Sequence, residues 1–92
     1  MVKRENVLQE AMDLIAGDRQ AAYGDAKASF ERIAAMYSAW KGQEMTATDA
    51  AVFFILAKVS RAHTSPDRVD NWVDICGYAA LAAEGACDGK DR

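Results

Sequence analysis

Residues 50–57 read AAVFFILA, a run too short to span a membrane and too uniformly apolar for a helix with one wet face. TATD at 46–49 precedes it and fits a capping box, with Thr46 as N-cap and Asp49 where glutamate is usual. A capped helix that is apolar around its whole circumference needs cover on every side, which predicts a position at the centre of a bundle. The remaining sequence agrees with a helical fold. There is one proline in 92 residues, alanine is abundant, and β-branched residues are few and scattered.

Apolar spacing divides the chain into four helices. The first is expected from about Glu5 to Ala16, with Val7, Leu8, Ala11, Met12 and Ile15 along one stripe and Gly17 ending it. A loop, GDRQAAYGD, follows; Gly24 supplies a turn and Asp25 caps the second helix. That helix is expected from Ala26 to Trp40 or Lys41, with Phe30, Ile33, Ala34, Tyr37 and Trp40 as its apolar stripe and Gly42 ending it. The third helix follows TATD and changes character at Lys58, Ser60 and Arg61. SPD at 65–67 then restarts the chain, with Ser65 as N-cap and Pro66 at the first position of a fourth helix continuing to Glu84. Short connections predict an all-α fold, a small antiparallel bundle of four helices. Residues 1–86 are expected to form a single domain and 87–92 a flexible tail. A core this small buries a modest fraction of its surface, so a homo-oligomer is expected.

The formal charge is −3, which argues against a duplex-DNA partner but allows a small anion held by a few cations. Cys76 and Cys87 form no CxxC pair and have no partnering histidines, so neither zinc nor a disulfide framework is expected. The opening MVKRENVLQEAMDL turns polar at once, and no membrane partner is expected. These features predict a cytoplasmic protein.

Residues 70–80, DNWVDICGYAA, carry the most specific chemistry. At about 100° per residue, Asp67, Asp70, Asn71, Asp74 and Tyr78 fall within a sector of roughly 100°. Trp72, Val73, Ile75, Cys76, Ala79 and Ala80 cover nearly all the remainder. Aspartates four residues apart repel unless a cation lies beside them. Lys58 and Arg61, one turn apart on the third helix, are the nearest candidates. They can close ion pairs with Asp70 and Asp74 across the hairpin, or hold a phosphate, for which the arginine fork is well shaped. His63 is expected to be a surface residue.

The order RQAAYGD (19–25), Phe30 and Ile33, KVSRA (58–62), then DNWVDICGYAA (70–80) resembles a family of small phage proteins. It is similar to the phage nucleotide-modification-associated domain and, more distantly, to MazG-like all-α NTP pyrophosphohydrolases. The resemblance spans about residues 19–84. It implies an all-α, MazG-like fold, a phage or prophage origin and a nucleotide-type ligand. MazG-like enzymes hold magnesium with an ExxE pair on one helix and an ExxD pair on the next. Here Glu31 stands as a remnant of the first pair, with Ala28 and Ala34 flanking it at three residues. Asp74 matches the aspartate of the second, and Asn71 stands where its glutamate would be. Magnesium needs hard oxygen ligands with carboxylate charge, so the metal cluster is depleted.

The expected function is binding of a nucleotide or nucleotide-derived signal without turnover, in an infected or lysogenic bacterial host. Sequestration of a host defence signal would suit such a protein. The ligand-binding candidates are Arg19, Tyr23, Lys58, Arg61, Asn71, Asp74 and Tyr78: Lys58 and Arg61 for phosphate, Asn71 for a base edge or sugar hydroxyl, Tyr23 for stacking. No cofactor is required on this reading. The alternative is a magnesium-dependent hydrolase using Glu31, Asp70 and Asp74. A third reading is a structural or protein-binding bundle whose stripe is an ion-pair network.

Overall fold

Thr46 fixes the start of the third helix. Its hydroxyl accepts from the Asp49 backbone N–H at 3.1 Å, and Asp49 Oδ2 accepts from the Thr46 N–H at 3.0 Å. Both halves of the expected capping box are formed. The computed structural model describes residues 2–16 and 26–87. They form α1 (Arg4–Ala16), α2 (Ala26–Lys41), α3 (Ala47–Thr64) and α4 (Val69–Ala86), with no strand among the described residues. Gly42 ends α2 at φ 69°, a left-handed conformation that glycine takes without steric cost. The Gly17 and Gly24 turns, the Asp25 cap and the tail beyond Cys87 lie outside the described residues.

α3 and α4 form an antiparallel hairpin whose register can be read from its contacts. Phe54 meets Tyr78 with ring centroids 5.4 Å apart, and Lys58 meets Asp74 at 2.8 Å. Each step of four residues up α3 matches four down α4. Phe30 of α2 completes an aromatic cluster, 5.3 Å from Phe54 and 6.2 Å from Tyr78. Its tilted and edge-on rings are the arrangements aromatic quadrupoles favour. Phe30, Ala50 and Ala51 form the buried centre, with Ile33, Met45, Leu81 and Ala82 packed around it. Ser38 Oγ accepts from the Met45 N–H at 2.9 Å, tying the α2–α3 connection to α2. α1 lies mainly against α4. Gly77 permits that approach, because a Cβ there would sit 3.2 Å from Ile15 Cγ2.

Three expectations are corrected. α4 starts at Val69, not at Pro66, and Ser65 closes α3 by donating its N–H to Arg61 O at 2.9 Å. Arg68 N–H then donates to Ser65 O at 3.2 Å, which places Pro66 at the second position of a tight turn. Proline's fixed φ suits that position as well as it suits a first helical turn. α3 is not enclosed: Phe53 and Leu56 are 56% and 53% exposed, while the buried positions on α3 are alanines. Trp40, Leu8 and Met12, placed on core stripes by spacing, also face outward. Ala11, Phe30 and Ala34 take the buried positions on α1 and α2.

Two substitutions test this packing. Thr46→Ala removes the cap and is expected to lower unfolding stability by about 1 kcal/mol in urea titration. Gly77→Leu drives a side chain into Ile15 and is expected to cost about 1–3 kcal/mol by the same measurement. Unchanged stability in the second case would contradict the α1–α4 contact.

Candidate functional site at the α3–α4 turn

Part of the polar stripe turns inward, while Asp67, in the turn, and Asp70 are exposed. Asn71 is only 7% exposed, and Asp74 is largely covered, its side chain 23% exposed. Lys58, 17% exposed, lies across the hairpin with Nζ 2.8 Å from Asp74 Oδ2. Asp74 is thereby neutralised, and so is Lys58. This is one of the ion pairs the sequence permits, and it commits both residues to the α3–α4 seam.

One turn further toward the hairpin tip, the same register brings Arg61 and Asn71 together. Ser60, Arg61, Thr64, Ser65, Arg68 and Asn71 line a cavity of about 420 Å³. Two guanidinium groups, three hydroxyls and a primary amide make this lining suited to an anion with several acceptor oxygens. Asn71 Nδ2 donates to Ser65 O over a long 3.4 Å, and its side chain makes no other hydrogen bond among the described residues. No sealed side-chain polar atom is left without a partner among those residues. The free hydrogen-bonding capacity of Asn71 is therefore open to the cavity it lines. Arg61 forms no salt bridge among the described residues, and its side chain is exposed.

The turn itself is held from α4. The Trp72 indole N–H donates to Pro66 O at 2.8 Å, beside the Asn71 bond to Ser65 O. Consecutive turn carbonyls are thus fixed by consecutive α4 side chains, and the cavity wall is set before any ligand arrives. Arg68 is the N-cap of α4 but makes no side-chain capping bond. The first-turn N–H groups and the positive helix end therefore stand without a side-chain cap next to the cavity.

Sequence reasoning missed Arg68. The misplaced start of α4 hid it; with the hairpin register known, Arg61 and Arg68 flank the turn as a pair. It also missed the setting of Asp70, which lines a cleft of about 320 Å³ with Glu10 and Asp13 of α1 and Asp74. Among the described residues no three His, Cys, Asp or Glu side chains are grouped closely enough to hold a metal. Glu31 lies apart, lining a separate cavity of about 140 Å³ with Thr48, Leu81 and Gly85. Glu31 thus lines a different cavity from Asp70 and Asp74. Tyr78 belongs to the aromatic cluster rather than to the turn cavity. Arg19 and Tyr23 lie outside the described residues, and His63 is exposed as expected.

The weight of the central pair can be measured. Lys58→Met alone leaves Asp74 without its cation and is expected to cost about 1.5–3 kcal/mol of stability. Combining it with Asp74→Leu is expected to recover most of that loss. A double variant as unstable as the sum of the singles would show that the two do not interact.

Comparisons with known proteins place this architecture in a family. The chain is 43% identical over 77 residues to the Gene 55 protein of Mycobacterium phage L5, covering 83% of this chain and 49% of that protein. It is 35% identical over 75 residues to the Gene 55 protein of Mycobacterium phage D29, covering 82% of this chain and 50% of that one. The chain thus spans about half the length of the curated relatives it matches. No solved structure matches. No described helix is long and apolar enough to cross a membrane. Residues 6–86 match the family described as "Domain of unknown function (DUF6378)", and the chain belongs to that family, which joins it to small phage proteins.

Proposed function

We propose that this is a phage-encoded protein that binds a nucleotide or nucleotide-derived ligand through its phosphate at the α3–α4 turn, without turnover. The observation that carries this reading is the cavity itself: Arg61 and Arg68 over three hydroxyls, beside the buried Asn71. Paired guanidinium groups recognise phosphate oxygens in a fork geometry. Asn71 supplies a donor and an acceptor that water alone would otherwise satisfy, and it reads a sugar hydroxyl or base edge. Lys58 contributes through Asp74, whose charge it cancels, so that no net negative charge opposes the phosphate from the seam. The protein works in the cytoplasm of the infected host, as a homo-oligomer, and withholding a host defence signal is the role that suits such a binder. The fold is MazG-like on this reading, with a metal cluster too depleted for hydrolysis.

Calorimetric titration with nucleoside mono-, di- and triphosphates tests it. Arg61→Ala is expected to weaken every phosphorylated ligand by about 1.5–3 kcal/mol, with a larger loss at low salt. Asn71→Ala is expected to change the preference among bases or sugars instead. Thermal melts accompany both. Variants that melt early yet bind normally once folded would make the stripe a scaffold. Incubation with magnesium and NTPs or dNTPs is expected to release little pyrophosphate; turnover abolished by Asp74→Asn in a folded protein would establish the hydrolase instead.

A further inference from the structure

The large side chains of this fold are poorly covered. Among the described residues no large side chain is less than 2% exposed, and the buried apolar residues are five alanines with Phe30 and Val73. The chain exposes 7003 Å², against about 5,200 Å² expected for a folded monomer of this size. Its radius of gyration is 14.2 Å, against about 12 Å for a compact domain of this length.

Part of that surface is one continuous groove between α2 and α3. Tyr37, Met45, Val52, Phe53 and Leu56 line it, and Trp40 stands at its edge with its ring 6.0 Å from that of Tyr37. Trp40 is 76% exposed. Trp40, Phe53 and Leu56 are each more than half exposed, and neighbouring apolar side chains left open in this way mark an interaction surface. The rim carries both signs of charge. Lys41 sits over Trp40, 5.2 Å from the ring, and Glu44 and Asp49 border the groove. An apolar centre with both signs of charge on its rim lets a second copy of the chain bring opposite charges together at that rim.

We infer that the α2–α3 groove is the self-association face of this protein and that its occupant is a second copy of the same chain. Trp40, Phe53 and Leu56 meet their counterparts across the two-fold axis, and Lys41 meets the acids of the other rim. The turn cavity uses other residues, so the face rests on the oligomeric part of the proposed function and not on its nucleotide part.

Sedimentation equilibrium of the full chain, with circular dichroism on each variant, tests this. The wild type is expected to show the mass of two or more chains at micromolar concentration. Phe53→Glu and Leu56→Glu are expected to weaken association at least 100-fold with helix content kept, whereas Leu8→Glu on α1 leaves the mass unchanged. A monomeric wild type, or association unaffected by a folded Leu56→Glu, would overturn the assignment. Trp40 fluorescence in a Trp72→Phe background needs no change to the groove and decides the matter should the glutamate variants not fold. Its emission is expected to shift to the blue with concentration, in step with mass; emission of a solvent-exposed indole throughout the oligomeric range would overturn the proposal. Nucleotide titration of the associated wild type reports separately on the turn cavity.

Discussion

The contact between Lys58 and Asp74, 2.8 Å long and mostly covered, sets the register on which the α3–α4 hairpin depends. A charge in that position tolerates little sliding, because displacement by one turn would leave an ammonium and a carboxylate separately desolvated. With that pair fixed, the position of everything four residues away follows. Tyr78 stacks into the cluster with Phe54 and Phe30 on one side. Arg61 and Asn71 face one cavity on the other. One ion pair thus separates an apolar end of the hairpin from a polar end, and the candidate site is the polar end.

The polar end owes its shape to a turn that stops α3 instead of starting α4. Ser65 continues the hydrogen-bond ladder of α3, Pro66 bends the chain, and Asn71 and Trp72 reach back to the turn carbonyls. A helix starting at Pro66 would have carried Arg68 around its first turn. Starting at Val69 keeps Arg68 at the cavity with Arg61. The opposite flank of α4 behaves differently: Asp70 and Asp74 look toward Glu10 and Asp13 across a cleft whose carboxylates are not grouped as a metal centre requires. The cationic pocket, and not the acidic cleft, is where these residues favour an anionic ligand.

Much of the fold was legible because it rests on local signals. Capping by Thr46 and Asp49, the glycine stop at Gly42 and the helix bounds of α1 and α2 depend on neighbours in sequence, and they read correctly. Exposure did not read correctly, because hydropathy reports which residues prefer cover and not which residues find it. Alanines at 50, 51 and 62 allow close helix approach and so occupy the buried positions of α3, leaving Phe53 and Leu56 outside. Within the site, Asn71 and Asp74 were visible as part of a polar stripe opposite two cations, Lys58 and Arg61. Their division into an ion pair and a cavity-lining pair was not, since that depends on hairpin register. The surroundings of Glu31 depended on packing in the same way: α2 places it along one cavity with Thr48 and Gly85, while Asp70 and Asp74 line another.

The most direct measurement of the central claim is an NMR titration of the ¹⁵N-labelled protein with ATP in the absence of magnesium, following the Asn71 side-chain amide and the backbone amides of residues 60–71. Saturable shifts are expected, concentrated at Arg61, Ser65, Arg68 and Asn71, with the amides around Glu10 and Asp13 unmoved. Shifts confined to the acidic cleft, or none at the turn with any of the nucleoside phosphates, would contradict it.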